Sequence, residues 1–290
     1  MAQSFANALY AGSQYALVAV ALSLAYSVAR FLNFALGAIY AVAAYSTYWF
    51  VHAGLPILPA ACAGILVAGL VGGAFELIVF GQLRQQGATP LVALIAALGV
   101  FVVVQGMLSI CFGTSVKMIR SPSVVAGLDI FGARLTRIQL VGTIASFFLC
   151  VATWIALRHS EFGRHVRAVA CDSSLAKAVG VDTKRVYLWT TALCSVLVGF
   201  AGIVGAYDVD LRPTMGFSPL LMGVVAMLVG GVGQPLGAWL AALFIAGIQE
   251  VAVVMLPTQW QYTIVFVVLI VFLIVRTEGS SDRFLKHAQI

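Results

Sequence analysis

Six polar side chains within apolar stretches, Gln14, Asn33, Glu76, Gln105, Gln249 and Glu250, are the ones whose chemistry needs an account. Two carboxylates could relay protons across a membrane, but a relay needs charged partners along its path. Lysine, arginine and histidine are nearly absent from these stretches. Glu76 is therefore expected to reach Arg84 or water by extension, and Glu250 to be neutral or held by a hydrogen bond. Anchoring is the favoured role of both. The amides fit interhelical hydrogen bonds, each contributing about 1 kcal/mol. No set of nucleophile, base and oxyanion donor occurs, and no ligands stand at metal spacing. Cys62, Cys111, Cys150, Cys171 and Cys194 form no CxxC pair and read as small buried hydrophobes. "GGVGQPLG" is glycine-rich but lacks the lysine of a G-x-x-x-x-G-K-[ST] phosphate loop.

These residues must be held by apolar elements. Of 290 residues, 62% are hydrophobic and 9% charged, and the mean hydropathy is +1.05. A spanning helix needs about 20 mostly apolar residues, and a backbone in lipid must satisfy its own hydrogen bonds. The runs lack the period-two alternation of a β-barrel. The reading is one all-α polytopic membrane domain over residues 1–290. Its spans fall at about 9–28, 32–51, 57–80, 90–112, 138–157, 186–207, 217–232, 236–256 and 260–275. The seventh is short and ends in glycines, which marks it as a candidate broken or re-entrant segment. The N-terminus has no basic n-region, so the first run is expected to stay as a helix rather than be cleaved.

Basic residues orient the chain. The loop 158–185 holds Arg158, Arg164, Arg167, Lys177, Lys184 and Arg185, and the tail holds Arg276, Arg283 and Lys286. With both cytoplasmic, Arg30 and Arg84 are inside too and the N-terminus is outside. That arrangement puts eleven of sixteen Lys and Arg residues inside and needs an odd number of crossings, nine rather than eight. The outer loop, about 113–137, carries Pro122, Gly127, Asp129 and Gly132 and is expected to form a short lid.

The inner loop contains a polar island, "RAVACDSSLAKAVGVDTKRVY", at residues 167–187. Asp172 caps a short helix and Gly180 ends it. Leu175, Ala178 and Val179 share one apolar face. Two turns are too short to be stable alone in water, so that face must be held. Two readings stay open: it packs on the chain's own helix ends, or it docks into a cytoplasmic partner.

"SLAKAVGV" resembles the cytoplasmic loop motif of ABC-importer permeases, with Ala176 and Gly180 on the motif's second alanine and its glycine. Ser174 stands where the motif has glutamate, and Leu175 where it has its first alanine. The chain is most similar to the LivH-type permeases of branched-chain amino-acid importers. The resemblance runs through "GSQYALVAVALSLAYSVARFLNFALGA", "PLVALIAALGVFVVVQGMLSICFG", "EFGRHVRAVACD" and "LVGGVGQPLGAWLAALFIAGIQE", from about residue 9 to 275.

That resemblance implies an ATPase-coupling surface at Arg164, Arg167, Asp172, Ser174, Leu175, Ala176, Val179 and Gly180. It also implies two cytoplasmic ATPase subunits carrying ATP and magnesium, a second LivM-like permease subunit, and a periplasmic substrate-binding protein. The residues themselves place a substrate path near Asn33, Phe34, Gly37, Gln105 and Glu250: small residues in "FLNFALG", with Asn33 four before Gly37, permit a kink or discontinuous helix whose exposed backbone groups line a path. The place implied is the bacterial inner membrane, with lipid around the chain, no cofactor or metal on it, and no nucleic acid. The family pattern has histidine at the position of Leu36 and often a carboxylate at that of Ala38; their loss predicts a more apolar path. Close helix packing is expected at Ser195, Gly199 and Gly202 and in the late segment at Gly230, Gly231, Gly233 and Gly237. The competing function is an ion-gradient-driven secondary transporter or channel.

Overall fold

The computed structural model describes residues 2–119, 128–130, 133–255, 257 and 260–287. Each of the nine apolar runs folds as helix. They are α1 (Ala2–Ala29), α2 (Ala35–His52), α3 (Ile57–Phe75), α5 (Pro90–Phe112), α6 (Arg137–His159), α9 (Thr183–Asp208), α10 (Phe217–Gly230), α11 (Pro235–Met255) and α12 (Gln261–His287). A π turn, Glu76–Phe80, and the short α4, Gly81–Gln85, continue α3. The inner loop forms α7 (Glu161–Cys171) and α8 (Ser173–Ala178). Among the described residues, six helices are long and apolar enough to cross a membrane; α10 and residues 261–274 of α12 are shorter apolar helices. The buried α2 brings the apolar helices to nine. The chain is an all-α polytopic membrane protein.

The bundle is built around α1 and α9. The apolar window of α1 is 72% buried and that of α9 56%, against 11% for α5, so α5 lies at the periphery. Lipid tails are as apolar as leucine, so helices associate through close packing rather than through exclusion of water. Small residues supply that closeness. A Cβ built on Gly199 meets the Cβ atoms of Ala68 at 2.7 Å and Ala43 at 3.3 Å. At Gly202 the space is filled by the Tyr40 backbone carbonyl, and Ser195 sits directly over Gly72. The stripe on α9 thus seats α2 and α3.

Between α10 and α11, Gly230 and Gly237 press backbone on backbone, leaving no room for a Cβ on either. Gly231 and Gly233 turn the chain at φ +104° and +78°, conformations that favour glycine. The late glycines therefore build a tight interhelical turn. Of the two alternatives for the seventh span, broken or re-entrant, the break is absent: α10 is one continuous helix of 14 residues. At about 1.5 Å per residue it is about 21 Å long, short of a hydrocarbon core of roughly 30 Å. The irregularity falls instead at the end of α3, in the π turn.

Three further differences stand out. Only Cys150 and Cys194 are buried; Cys62, Cys111 and Cys171 are exposed. The basic tail, read from sequence as following the last span, is helical as far as His287. In the outer loop, β1 (Leu128–Ile130) pairs antiparallel with β2 (Ala133–Leu135), Asp129 opposite Arg134. The Gln3 side chain holds the Arg134 backbone through N–H···Oε1 at 2.8 Å and Nε2···O at 3.2 Å, tying this hairpin to α1. Pro122, Gly127 and Gly132 lie outside the described residues.

Candidate functional site

The inner loop is two capped helices. Ser160 opens α7 by accepting the Gly163 N–H at 3.0 Å. Gly163 has no space for a Cβ, because the Leu157 carbonyl of α6 occupies it. Gly163, Val166 and Val169, three residues apart, form the buried face of α7. Arg167 donates to the Leu157 carbonyl, one of the groups left without an intrahelical partner at the end of α6. Arg30, just past α1, donates to the Ala170 carbonyl near the end of α7. Arg30 sits at φ 60°, alone among non-glycine described residues in having a positive φ. That conformation costs about 1–2 kcal/mol outside glycine, so its contact with α7 is built from a constrained turn. Arg164 makes an exposed ion pair with Glu161 at 3.2 Å.

Asp172 then caps α8. Its Oδ1 accepts the Ser174 N–H at 2.8 Å, the Ser174 hydroxyl at 2.6 Å and the Leu175 N–H at 3.1 Å. At the other end Gly180, φ +94°, donates to Lys177 O at 3.1 Å, and Val181 N–H donates to Ala176 O at 3.0 Å. This pair of bonds is the Schellman stop. Ala176 is the buried residue of α8, whereas Leu175 is 64% and Val179 84% exposed. The apolar face read from the sequence therefore points away from the chain's own helix ends.

The Ser174 hydroxyl, and after it the Leu175 and Ser174 N–H groups, hold the Asp172 carboxyl below the usual aspartate range. A carboxyl depressed in the folded state stabilises above its unfolded value, and that contribution is lost as pH falls through the folded value. Amide protection at Ser174 and Leu175 in hydrogen exchange is therefore expected to be flat from neutral pH down to about 4, the ordinary aspartate value, and to fall only below it. In Asp172→Ala that protection should be weak at every pH.

The proposed path residues fall into separate places. Asn33 is buried between α1 and α2, where its Oδ1 accepts the Ala35 N–H at 3.1 Å in an Asx turn. Phe34 packs beside it against the core. At Gly37 a Cβ would meet Leu220 Cδ2 at 2.8 Å and the Gly216 carbonyl at 3.2 Å, so α10 is seated there. Leu36 and Ala38 are buried core residues. Gln105 is half-buried on α5, one turn from Phe101, which also packs against Gly37. Glu250, on α11, neighbours Asn7 at the end of α1 opposite Asn33, so the fold does not bring it to the other four.

Glu76 does find its partner. Arg84 Nη1 donates to Glu76 Oε1 at 2.7 Å, and the Thr191 hydroxyl donates to Oε2 at 3.2 Å. Both carboxylate oxygens are occupied. The amides at Gln14 and Gln249 likewise serve interhelical bonds, to Ser146 at 3.4 Å and Gln261 at 3.1 Å.

A family model described as "Branched-chain amino acid transport system / permease component" matches residues 4–273. The chain belongs to this permease family. Among curated relatives, the high-affinity branched-chain amino acid transport system permease protein LivH of Salmonella typhimurium is 27% identical, covering 97% of this chain and 95% of LivH. BraD of Pseudomonas aeruginosa, a permease protein of the same description, is 24% identical with the same coverage. The autoinducer 2 import system permease protein LsrC of Salmonella paratyphi B is 28% identical over 73% of this chain and 61% of LsrC.

In this permease the sequence reading missed three features of the inner site. The first is α7 itself, signalled by Ser160 three residues before Gly163 and by the Val166–Val169 spacing. The second is the Arg30 contact, which no local pattern signals. The third is the stacking of the Arg84 guanidinium on Tyr187, 3.4 Å from the ring centre.

Proposed function

We propose that this chain is the transmembrane permease subunit of a bacterial ABC importer. It forms half of an alternating-access path for branched-chain or other hydrophobic amino acids, or related small solutes. It performs no covalent chemistry; ATP and magnesium act on two cytoplasmic ATPase subunits. A second, LivM-like permease subunit completes the path, and a periplasmic binding protein delivers the substrate. The basic residues of loop 158–185 favour the inner membrane with the N-terminus outside and the C-terminus cytoplasmic.

The observation that carries this reading is the exposed apolar face of α8. Leu175 and Val179 stand in water at the tip of a helix locked at both ends. Burying each in a partner's cleft is worth about 1.5–3 kcal/mol. Motion received at α8 has three routes inward. One runs directly into α9 through Val181 and Asp182, one through Arg167 to the end of α6, and one through Arg30 to the α1–α2 connection. The half-exposed Gln105 amide, which makes no side-chain hydrogen bond among the described residues, supports a protein or aqueous face on α5, since lipid would leave that amide unsatisfied.

Charging the tip tests this reading. In Leu175→Asp/Val179→Asp the chain should accumulate normally, because both side chains are exposed. Co-purification of ATPase subunits and ATP-driven uptake should fall by about thirtyfold or more, as expected for an interface anchor worth 2 kcal/mol or more. Uptake at the wild-type rate would overturn the coupling role. Ala176 is the wrong position for this test: it is buried, and a charge there would damage α8 itself.

A further inference from the structure

A cavity of about 530 Å³ opens where the end of the third span meets the inner loop. Its wall joins residues distant in sequence: Glu76 and Arg84 around the π turn, Lys177 on α8, and Thr183, Lys184 and Tyr187 on α9. Three cations line it against one carboxylate, and that carboxylate is already paired with Arg84 and bonded by Thr191. Lys177 and Lys184 make no ion pair among the described residues. The Glu76–Arg84 pair cancels within the cavity, so the two lysines leave its lining with an excess of positive charge.

Arg84 is pre-set for an anion. Glu76 fixes one side of its guanidinium at 2.7 Å, and the Tyr187 ring supports its face at 3.4 Å. Its Nη2, buried, makes no hydrogen bond among the described residues. A buried guanidinium N–H without an acceptor is costly, and a phosphate oxygen would satisfy it. The π turn beside it belongs to a class of helix irregularity that recurs at binding sites.

The geometry points to a binding site for a phosphate-bearing anion, and specifically for the headgroup of an anionic phospholipid. Lipid is the favoured source because the rim is apolar on the outward side: Leu77 is 62% and Ile78 64% exposed, on the same π turn that carries Glu76. Acyl chains lie against these two residues while the headgroup reaches Arg84, Lys177 and Lys184. A basic pocket between helices at the cytoplasmic side is suited to such headgroups. Bound there, the headgroup bridges α8, α9 and the third span. Lipid charge thereby biases the position of the inner loop. The site stands on the membrane reading alone and does not depend on which subunits dock at Leu175 and Val179.

The test is native mass spectrometry of the full chain, purified with the subunits that accompany it, in neutral detergent with phosphatidylglycerol and phosphatidylcholine. The comparison is wild type against Lys177→Gln/Lys184→Gln, both exposed positions that leave the Glu76–Arg84 pair intact. Wild type should retain phosphatidylglycerol in preference to phosphatidylcholine, and the variant should lose that preference by about tenfold or more. Competition by millimolar inorganic phosphate distinguishes the sources. Retention unchanged by phosphate supports the lipid headgroup. Full displacement supports the phosphate chemistry and overturns the lipid source in favour of a soluble anion. Equal phosphatidylglycerol retention by wild type and variant overturns the site. So does loss of an accompanying subunit in the variant with lipid retention unchanged, which would assign the lysines to an acidic protein partner.

Discussion

Gly202→Leu is expected to abolish accumulation of the folded chain. Overpacking a well-filled interior costs about 1–3 kcal/mol when neighbouring side chains can move, and more when they cannot. At Gly202 they cannot: the first atom a Cβ meets is the Tyr40 backbone carbonyl, followed by Tyr40 C at 3.0 Å. Relief requires α2 to move off α9, and α2 cannot move alone. Gly199 on the same stripe holds Ala43 of α2 and Ala68 of α3, and Gly37 near the start of α2 holds α10. One added side chain therefore loosens contacts among four helices. In lipid no hydrophobic force draws them back together. Gly199→Ala should be milder, because its nearest neighbours are methyl groups. The measurement is folded yield and thermal unfolding in detergent by size-exclusion chromatography. A Gly202→Leu chain with wild-type yield and Tm would show that α2 and α9 do not meet as described.

Arg84→Met should destabilise the chain by about 1–3 kcal/mol, less than the roughly 3–5 kcal/mol of a fully buried pair, because the Arg84 side chain is 30% exposed. Glu76 is 4% exposed, and without Arg84 its carboxylate keeps only the Thr191 hydroxyl. The stacking on Tyr187 is lost as well, worth about 0.5–2 kcal/mol. The double variant Glu76→Leu/Arg84→Met should recover most of the loss, because replacing both ions with apolar groups removes the stranded charge. A double-mutant cycle on thermal stability measures the coupling directly. Additive losses would mean that the pair is not formed in the membrane. A double variant that also keeps uptake would show that Glu76 has an anchoring role and is not a proton carrier.

Most of what was legible in the sequence is local. The nine helices follow from runs of apolar residues, because a backbone in lipid has only its own chain for hydrogen-bond partners. The bounds of α8 were readable from Asp172 and Gly180, since a cap and a left-handed stop each act within four residues. Glu76 with Arg84 was readable because an isolated carboxylate in an apolar span needs a cation within reach.

What only the tertiary structure decided concerns faces and meetings. A two-turn helix offers apolar atoms on more than one side, so composition does not say that Ala176 goes inward and Leu175 and Val179 outward. Asn33 and Gly37 suggested an open path by type, yet one closes an Asx turn and the other seats α10. Lys177 and Lys184 reach one cavity with Arg84 only because α8 and α9 fold back onto the end of the third span. The physical reason is common to all three. Hydrogen bonding of the membrane backbone is satisfied within each helix and leaves its mark in that helix's own sequence. The choice of which apolar face meets protein, lipid or partner depends on fit between surfaces of nearly equal hydrophobicity, and that fit exists only once the helices are assembled.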